Sequence, residues 1–297
     1  MKNKFVRLAL VFFAIFTMTI TGAMANTLEK AKTTGKFTLA YRESSIPFSY
    51  LGEDGKPLGF GWEMCKLIAE EVKKETGRKD LVVESQAVTS QNRIPLIQNG
   101  TVDVECGSTT NNSERGKQVT FAINYFYTGT RFLVKADSGI KSINDLKGKK
   151  VVSTTGTTNY QILRNLNDEK KYGFELLGAK DHADALLMVE SGMANAFGMD
   201  DILLYGLKAS SKESAKLAVV GESIQVEPYA IMFRKDDPKF QALVNKVITN
   251  SIKTGEFEKA YKKWFQTNIP PKNVNLNAPM SKELKDNLKA LSDKPAL

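Results

Sequence analysis

From Thr27 onward, short strand-like runs alternate with amphipathic helical runs, and no other feature of the chain restricts its fold so strongly. The run "KFTLAY" (36–41) alternates as a strand. In "FGWEMCKLIAEEVKKETG" (60–77), Met64, Ile68 and Val72 share one helical face, and Gly77 supplies the stop. "DLVVESQAV" reads as a strand, and "TSQNRIPLIQNG" (89–100) predicts a short helix opened by a Ser90 cap and closed by Asn99-Gly100. "VDVECG" is the next strand. This βαβαβ order predicts an α/β fold with a mostly parallel sheet covered by helices on both faces.

A second unit starts near Lys135. It runs helix, strand, Gly-Thr turn and helix through "INDLKGKKVVSTTGTTNYQILRNL", then strand "FELLGAKD", helix "HADALLMVESG", strand "NAFGMDD" and helix "ILLYGLKAS". Strand "EPYAIMFRKDD" follows, and then a long amphipathic helical stretch broken at Gly255. After Phe265 the chain reads as loop plus one helix, Lys282–Leu291. Two α/β units with a helical C-terminal part imply two lobes.

The first 25 residues read as a cleaved signal peptide: a basic start, "MKNKFVR", the apolar "LALVFFAIFTMTI", and a small-x-small site at Ala23 and Ala25. The apolar run falls short of the roughly 20 residues that a bilayer requires. Export and the scattered charges of a chain with net charge +9 argue against nucleic acid as a partner, and the positive balance reads as solvated surface. Cys65 and Cys106 could pair in an oxidising compartment, which their spacing alone does not decide. Two cysteines and one histidine, far apart in sequence, fit no metal-ligand spacing.

In open α/β sheets, ligands bind beyond the carboxyl ends of strands, where loops meet helix N-termini. That rule gathers Arg42–Ser45, Gly107–Thr110, Gly156–Thr158 and Asp200 on one rim. Arginine is scarce, eight against 34 lysines, and Arg42, Arg93 and Arg115 all fall on this rim. A guanidinium makes planar paired bonds to carboxylates, which an ammonium cannot. "GSTT" (107–110) and "TGTT" (155–158) offer backbone N–H groups and hydroxyls leading into helices, although plain capping would also explain them. Neither is a phosphate-binding loop. Asp200 suits an ammonium or a helix cap. His182, the one histidine, has no nucleophile elbow near it, so a catalytic triad is not indicated. Several cations, many neutral donors and one or two acids suit a small zwitterion with excess negative charge.

The segments "YRESSIPFSY", "TSQNRIPLIQNGTVDVECGSTTNNSERGKQ", "GTTN", "AKDHADA", "MDD" and "IPPKNVNLN" resemble the periplasmic glutamate/aspartate-binding proteins of ABC-type amino-acid importers, in solute-binding protein family 3. The resemblance runs from about Thr27 to Asn277. It implies a type II periplasmic-binding-protein fold, with lobe one at 26–131 plus 230–297, lobe two at 132–229, and hinge strands near 129–133 and 228–233. It also implies a periplasmic monomer without cofactor, metal or catalysis. Such a protein captures L-glutamate or L-aspartate by lobe closure and delivers it to an inner-membrane permease through transient contact.

By the same resemblance, Arg115, Ser108, Thr110 and Thr158 clamp the α-carboxylate, and Asp200 accepts the ammonium with Ser108 assisting. Arg42, Ser90 and Arg93 hold the side-chain carboxylate, joined from lobe two by His182, and Tyr229 lines the cleft. Cys65 has no counterpart in the resemblance, so its pairing with Cys106 stays open. Other readings are a periplasmic dehydratase on this fold, an amino-acid-binding adhesin or sensor, or an importer protein for a neutral amino acid. Two arginines at the side-chain end argue against the last, because a neutral amide would leave buried cations uncompensated.

Overall fold

A computed structural model describes residues 26–296, and the segment read as a signal peptide lies outside the described residues. The predicted rhythm is realised as α1 (Thr27–Thr34), β1 (Lys36–Tyr41), a small sheet of β2 (Ser44–Ser45), β3 (Ser49–Leu51) and β4 (Pro57–Leu58), then α2 (Phe60–Thr76), β5 (Val82–Ala87), α3 (Arg93–Gln98) and β6 (Val104–Glu105). After the one-turn α4 (Ser113–Gly116) comes β7 (Val119–Lys135), a strand of 17 residues. The second unit follows as β8 (Lys150–Thr154), α5 (Thr158–Lys170), β9 (Glu175–Ala179), α6 (His182–Glu190), β10 (Ala196–Asp200), α7 (Asp201–Ser210) and β11 (Leu217–Val220). The chain returns along β12 (Val226–Arg234) into α8 (Pro238–Lys253) and α9 (Glu256–Phe265), and ends with β13 (Asn268–Ile269), β14 (Val274–Asn275) and α10 (Lys282–Ala290).

The strand order is β5-β1-β6-β12-β7-β10-β8-β9, with β11 also on β7. Strands β5, β1 and β6 are mutually parallel, as are β10, β8 and β9, whereas β12 and β7 run antiparallel to their neighbours. The sheet therefore has two halves that share β7. Up to Gly129, β7 pairs with β12; from Thr130 to Val134 it pairs with β10. β12 already pairs with β7 at Val226, ahead of Tyr229.

Two sequence expectations need correcting. Ser90 does not cap α3: Asn92 occupies that place, in a reciprocal pair with Thr89 (Thr89 N to Asn92 Oδ1, 2.8 Å; Asn92 N to Thr89 Oγ1, 3.2 Å). The segment 107–110 does not open a helix either. Thr110 forms a bridge with Tyr229, and Asn111 N donates to Pro228 O at 2.8 Å, which keeps the backbone extended until Asn112 caps α4.

Packing fixes the crossing strands from below. Helices α2 and α9 cover a cluster of aromatic rings, with Phe48 and Phe126 centroids 4.9 Å apart, Phe126 and Phe265 5.0 Å apart, and Phe48 and Tyr229 5.2 Å apart. Edge-to-face and offset pairs of this kind add about 0.5–1.5 kcal/mol each beyond their burial. The open cysteine question is resolved as a disulfide, Cys65–Cys106, with Cα atoms 5.6 Å apart. It pins α2 to the residue before Gly107, and closing a loop of that length stabilises the fold by about 4 kcal/mol in the chain-entropy account.

Candidate functional site

Most rim residues sit just where a strand stops. Arg42 follows β1, Arg93 opens α3, Ser108, Thr110 and Arg115 follow β6, Thr158 follows β8, His182 follows β9, Asp200 ends β10 and Tyr229 lies in β12. All ten residues singled out in the sequence, Ser90 included, are at most 8% exposed, Thr158 alone excepted as intermediate. Ser90, Arg93, Ser108, Thr110, Thr158, His182 and Asp200 wall one narrow gap between the two halves of the sheet, with Met199 and Leu203 as its apolar part, whereas Arg42, Arg115 and Tyr229 are not among the residues that line it. The roomier surface groove between α2 and α9, around Met64, Leu67 and Ala260, gathers no comparable set of buried polar groups.

One pole of the gap is basic. Arg42 is fully buried; its Nη2 lies 3.5 Å from Asp181 Oδ2 and 3.4 Å from His182 Nε2, while Nε and Nη1 have no partner. Arg93 donates from Nη1 to Thr109 Oγ1 at 2.5 Å, and its Nε is likewise unpartnered, as is Ser90 Oγ. Burial, with Arg115 and Arg42 close by, pulls the Arg93 guanidinium down to about 9 despite Glu105. A guanidinium can only donate, so His182 Nε2 must accept, and its Nδ1 hydrogen goes to Thr154 Oγ1 at 2.8 Å. Burial and then the charge of Arg42 push the imidazole down to about 3, so it is neutral at pH 7. Asp181 takes the cap of α6, accepting from His182 N at 2.6 Å, and Ser44 Oγ also donates to it from the other half.

The other pole is acidic. Asp200 stands at the start of α7 but makes no capping bond; instead Asn159 Nδ2 donates to it at 2.7 Å and the Tyr229 hydroxyl donates to its second oxygen. Burial, and then the charge of Glu227, raise its carboxyl to about 8. Thr157, not Thr158, caps α5, and the Thr158 hydroxyl donates instead to Glu227.

Arg115 links the two halves, donating from Nη1 to Thr110 O at 3.0 Å and from Nη2 to Gly156 O at 3.2 Å. Gly156 has φ +79°, and a Cβ there would lie 2.6 Å from Gln91 Cα, so the two halves touch backbone to backbone at this point.

The sequence inventory undercounted the acids. Glu105, Asp181 and Glu227 join Asp200, and all but Asp181 are at most 2% exposed. Glu105 accepts from Thr109 at 2.6 Å, and Glu227 accepts from both Thr110 and Thr158, at 2.5 and 2.7 Å. Ser44 and Thr109 fell within the rim segments, and Asn159 within "GTTN", but none of the three was given a role of its own. A cap-forming Asp just before His182 was the one local signal that would have found any of these.

Two sheet halves closing on a polar gap define a small-molecule receptor of the solute-binding kind. The profile of the bacterial extracellular solute-binding proteins, family 3, matches residues 37–267, and the chain belongs to that family. It is 48% identical over 289 residues to the L-glutamate/L-aspartate-binding protein of Pseudomonas aeruginosa, covering 97% of this chain and 96% of that one. It is 46% identical over 272 residues to the glutamate/aspartate import solute-binding protein of Salmonella typhimurium, covering 92% and 90%. Among solved structures, an ancestral arginine-binding protein bound to arginine superposes with a TM-score of 0.69 at 31% identity, covering 78% of this chain and 98% of that one. Among the described residues, no helix is long and apolar enough to cross a membrane, and no group of three or more His, Cys, Asp or Glu could hold a metal ion.

Proposed function

We propose that this protein captures L-glutamate or L-aspartate in the periplasm, between two lobes that close about the β7–β12 crossing, and delivers it to an inner-membrane ABC-transporter permease. One observation carries the ligand reading. Arg42 and Arg93 are buried guanidiniums with unpartnered donors; Arg93 lines the same gap as Asp200, a carboxyl that caps no helix, and Arg42 lies against His182, which lines it too. A buried donor without a partner costs about 1–3 kcal/mol, so these groups call for a bound anion. An acidic amino acid meets both needs: one carboxylate for Arg42 and Arg93, a second for Arg115, and an ammonium for Asp200.

In this reading Arg115, Ser108, Thr110 and Thr158 hold the α-carboxylate, Asp200 and Ser108 the ammonium, and Arg42, Ser90, Arg93 and His182 the side-chain carboxylate, with Tyr229 beneath. Charge-assisted bonds of this kind are about twice as strong as neutral ones. Because they come from both halves, a ligand binds the closed arrangement more tightly than the open one and shifts the balance toward it. The likeness to glutamate/aspartate-binding relatives along almost the whole chain supports the same ligand and route. No bond of the ligand is made or broken.

The test is calorimetric titration with glutamate of protein stripped of ligand by unfolding and refolding, beside Arg93→Ala and Arg115→Ala. Each variant should bind at least a hundredfold more weakly. Retained affinity in both would sink the assignment.

A further inference from the structure

Residues 292–296 lie beyond position 267, where the family match ends, and they return to the segment that leads into Arg115. Ala296 N donates to Asn111 O at 2.9 Å, in a parallel bridge between Ala296 and Asn112, and Ser113 Oγ donates to Ala296 O at 3.4 Å. β12 holds the opposite edge of the same segment. Ala230 N donates to Thr109 O at 3.1 Å, and Asn111 N donates to Pro228 O at 2.8 Å. Residues 109–112 are thus flanked on both sides, by β12 and by the C-terminal segment.

Two buried asparagines tie that segment down further. Asn124, at an irregularity in the β7–β12 pairing, gives its N–H to Ser292 O at 3.0 Å and its side-chain amide to Lys294 O at 2.8 Å. Asn111 Nδ2 donates to Asp293 O at 2.7 Å and to Asn124 Oδ1 at 2.9 Å. Asn287, in α10, donates to both Asn124 O and Ser292 O, at 2.7 and 3.1 Å. Asp293, Lys294 and Pro295 are exposed, so the segment buries little apolar surface of its own. Stability from burial follows apolar area, so these bonds order one place more than they hold the fold together.

We propose that the C-terminal segment is a positioning element for ligand binding: by fixing Asn111 and Asn112 it holds Thr110 and Arg115 where they meet the α-carboxylate. The inference rests on the acidic-amino-acid reading above, in which those two residues take that carboxylate. The route is short. Asn112 Oδ1 accepts from Arg115 N at 2.9 Å, capping α4, and Arg115 Nη1 donates back to Thr110 O at 3.0 Å. A four-residue helix cannot sustain itself, because nucleating a turn costs more than its first bonds return. Its placement therefore depends on what flanks it. Without the C-terminal segment, the ligand would have to order residues 109–115 as it bound, and that cost is subtracted from affinity.

The experiment titrates glutamate calorimetrically into the full mature chain, a chain ending at Leu291, and Ala296→Pro, which lacks the N–H given to Asn111. The shortened chain should bind about tenfold more weakly, and Ala296→Pro several-fold more weakly, while thermal unfolding of the ligand-free proteins stays nearly unchanged. A general loosening of the fold would weaken both ends of the site alike, and a loss of positioning would not. Arg115→Lys should therefore cost roughly threefold less in the shortened chain than in the full one, whereas Arg93→Lys should cost the same in both. Undiminished affinity in the shortened chain, or in Ala296→Pro where the shortened chain does not fold, would overturn the inference. Equal coupling of the truncation to both arginines would overturn it too, leaving the glutamate reading intact. A full-length protein that binds no glutamate, or binds it undiminished in Arg115→Lys, would overturn that reading as well.

Discussion

His182 Nε2 lies 3.4 Å from Arg42 Nη2, joining the first turn of α6 in one half of the sheet to the end of β1 in the other. The contact exists only while the imidazole is neutral, because a protonated ring would face a guanidinium with no lone pair between them. Burial and Arg42 hold the ring down to about 3, below its usual value near 6.5. A depressed pKa gives stability that is complete above the unfolded value and is lost as pH falls from there toward the folded one. Between pH 6.5 and pH 5 this one group should remove about 2 kcal/mol from the ligand-free protein. Urea unfolding of wild type beside His182→Gln measures it as a difference: across that interval the wild-type stability should fall by this amount relative to the variant's, since Asp200 contributes equally to both.

Asp200 has the opposite sign. Burial and Glu227 raise its carboxyl to about 8, so the ligand-free fold is favoured while that carboxyl holds its proton and loses the benefit as pH rises through about 8. An ammonium placed against it should expel the proton. Calorimetry at pH 6.5 in two buffers of different ionisation enthalpy should report release of close to one proton per glutamate bound. A heat independent of the buffer would contradict that.

Gly206 lies inside α7, and a Cβ there would come 2.4 Å from the carbonyl oxygen of Ile46, in the turn between β2 and β3 of the other half. Alanine favours a helix by about 1 kcal/mol over glycine. Gly206→Ala should therefore leave the unliganded protein as stable as before or slightly more so, yet weaken glutamate binding at least tenfold by obstructing closure. Thermal unfolding and titration of the same sample separate the two effects. Undiminished affinity would show that the Gly206–Ile46 approach is unnecessary for binding.

The Cys65–Cys106 bond sits one residue ahead of Gly107, and Tyr125 OH donates to the Gly107 carbonyl from beneath. Reduction, or Cys65→Ala with Cys106→Ala, should cost about 2–5 kcal/mol of stability. It should also weaken glutamate binding several-fold, because Ser108 and Thr110 lose an anchor. Urea midpoints and titrations with and without reductant check both halves of the statement.

How much of this was legible beforehand differs from residue to residue. The face Met64–Ile68–Val72 announced α2 because one side of that helix is buried and the other wet. Part of β7, near Gly129, entered only through the family resemblance, since nearly all of its residues are buried and no alternation marks its limits. Scarce arginines identified the basic pole, because guanidiniums at strand ends need anions. Glu105 and Glu227 escaped notice: a glutamate in a strand normally reads as an outward side chain, and the donors to Glu227 are 117 and 69 residues away in sequence. The Cys65–Cys106 pair was named as possible but stayed open, because its two cysteines are 41 residues apart on a helix and a loop and their spacing says nothing of their separation in space.

The central claim is that the gap grips an amino acid by two carboxylates and one ammonium. Titrating the stripped wild-type protein with glutamate, aspartate, glutamine and asparagine tests it most directly. Glutamate and aspartate should bind tightly, and both amides at least a hundredfold more weakly, since an amide leaves the Arg42–Arg93 pole uncompensated. Amides that bind as well as the acids, or no binding by any of the four, would contradict it.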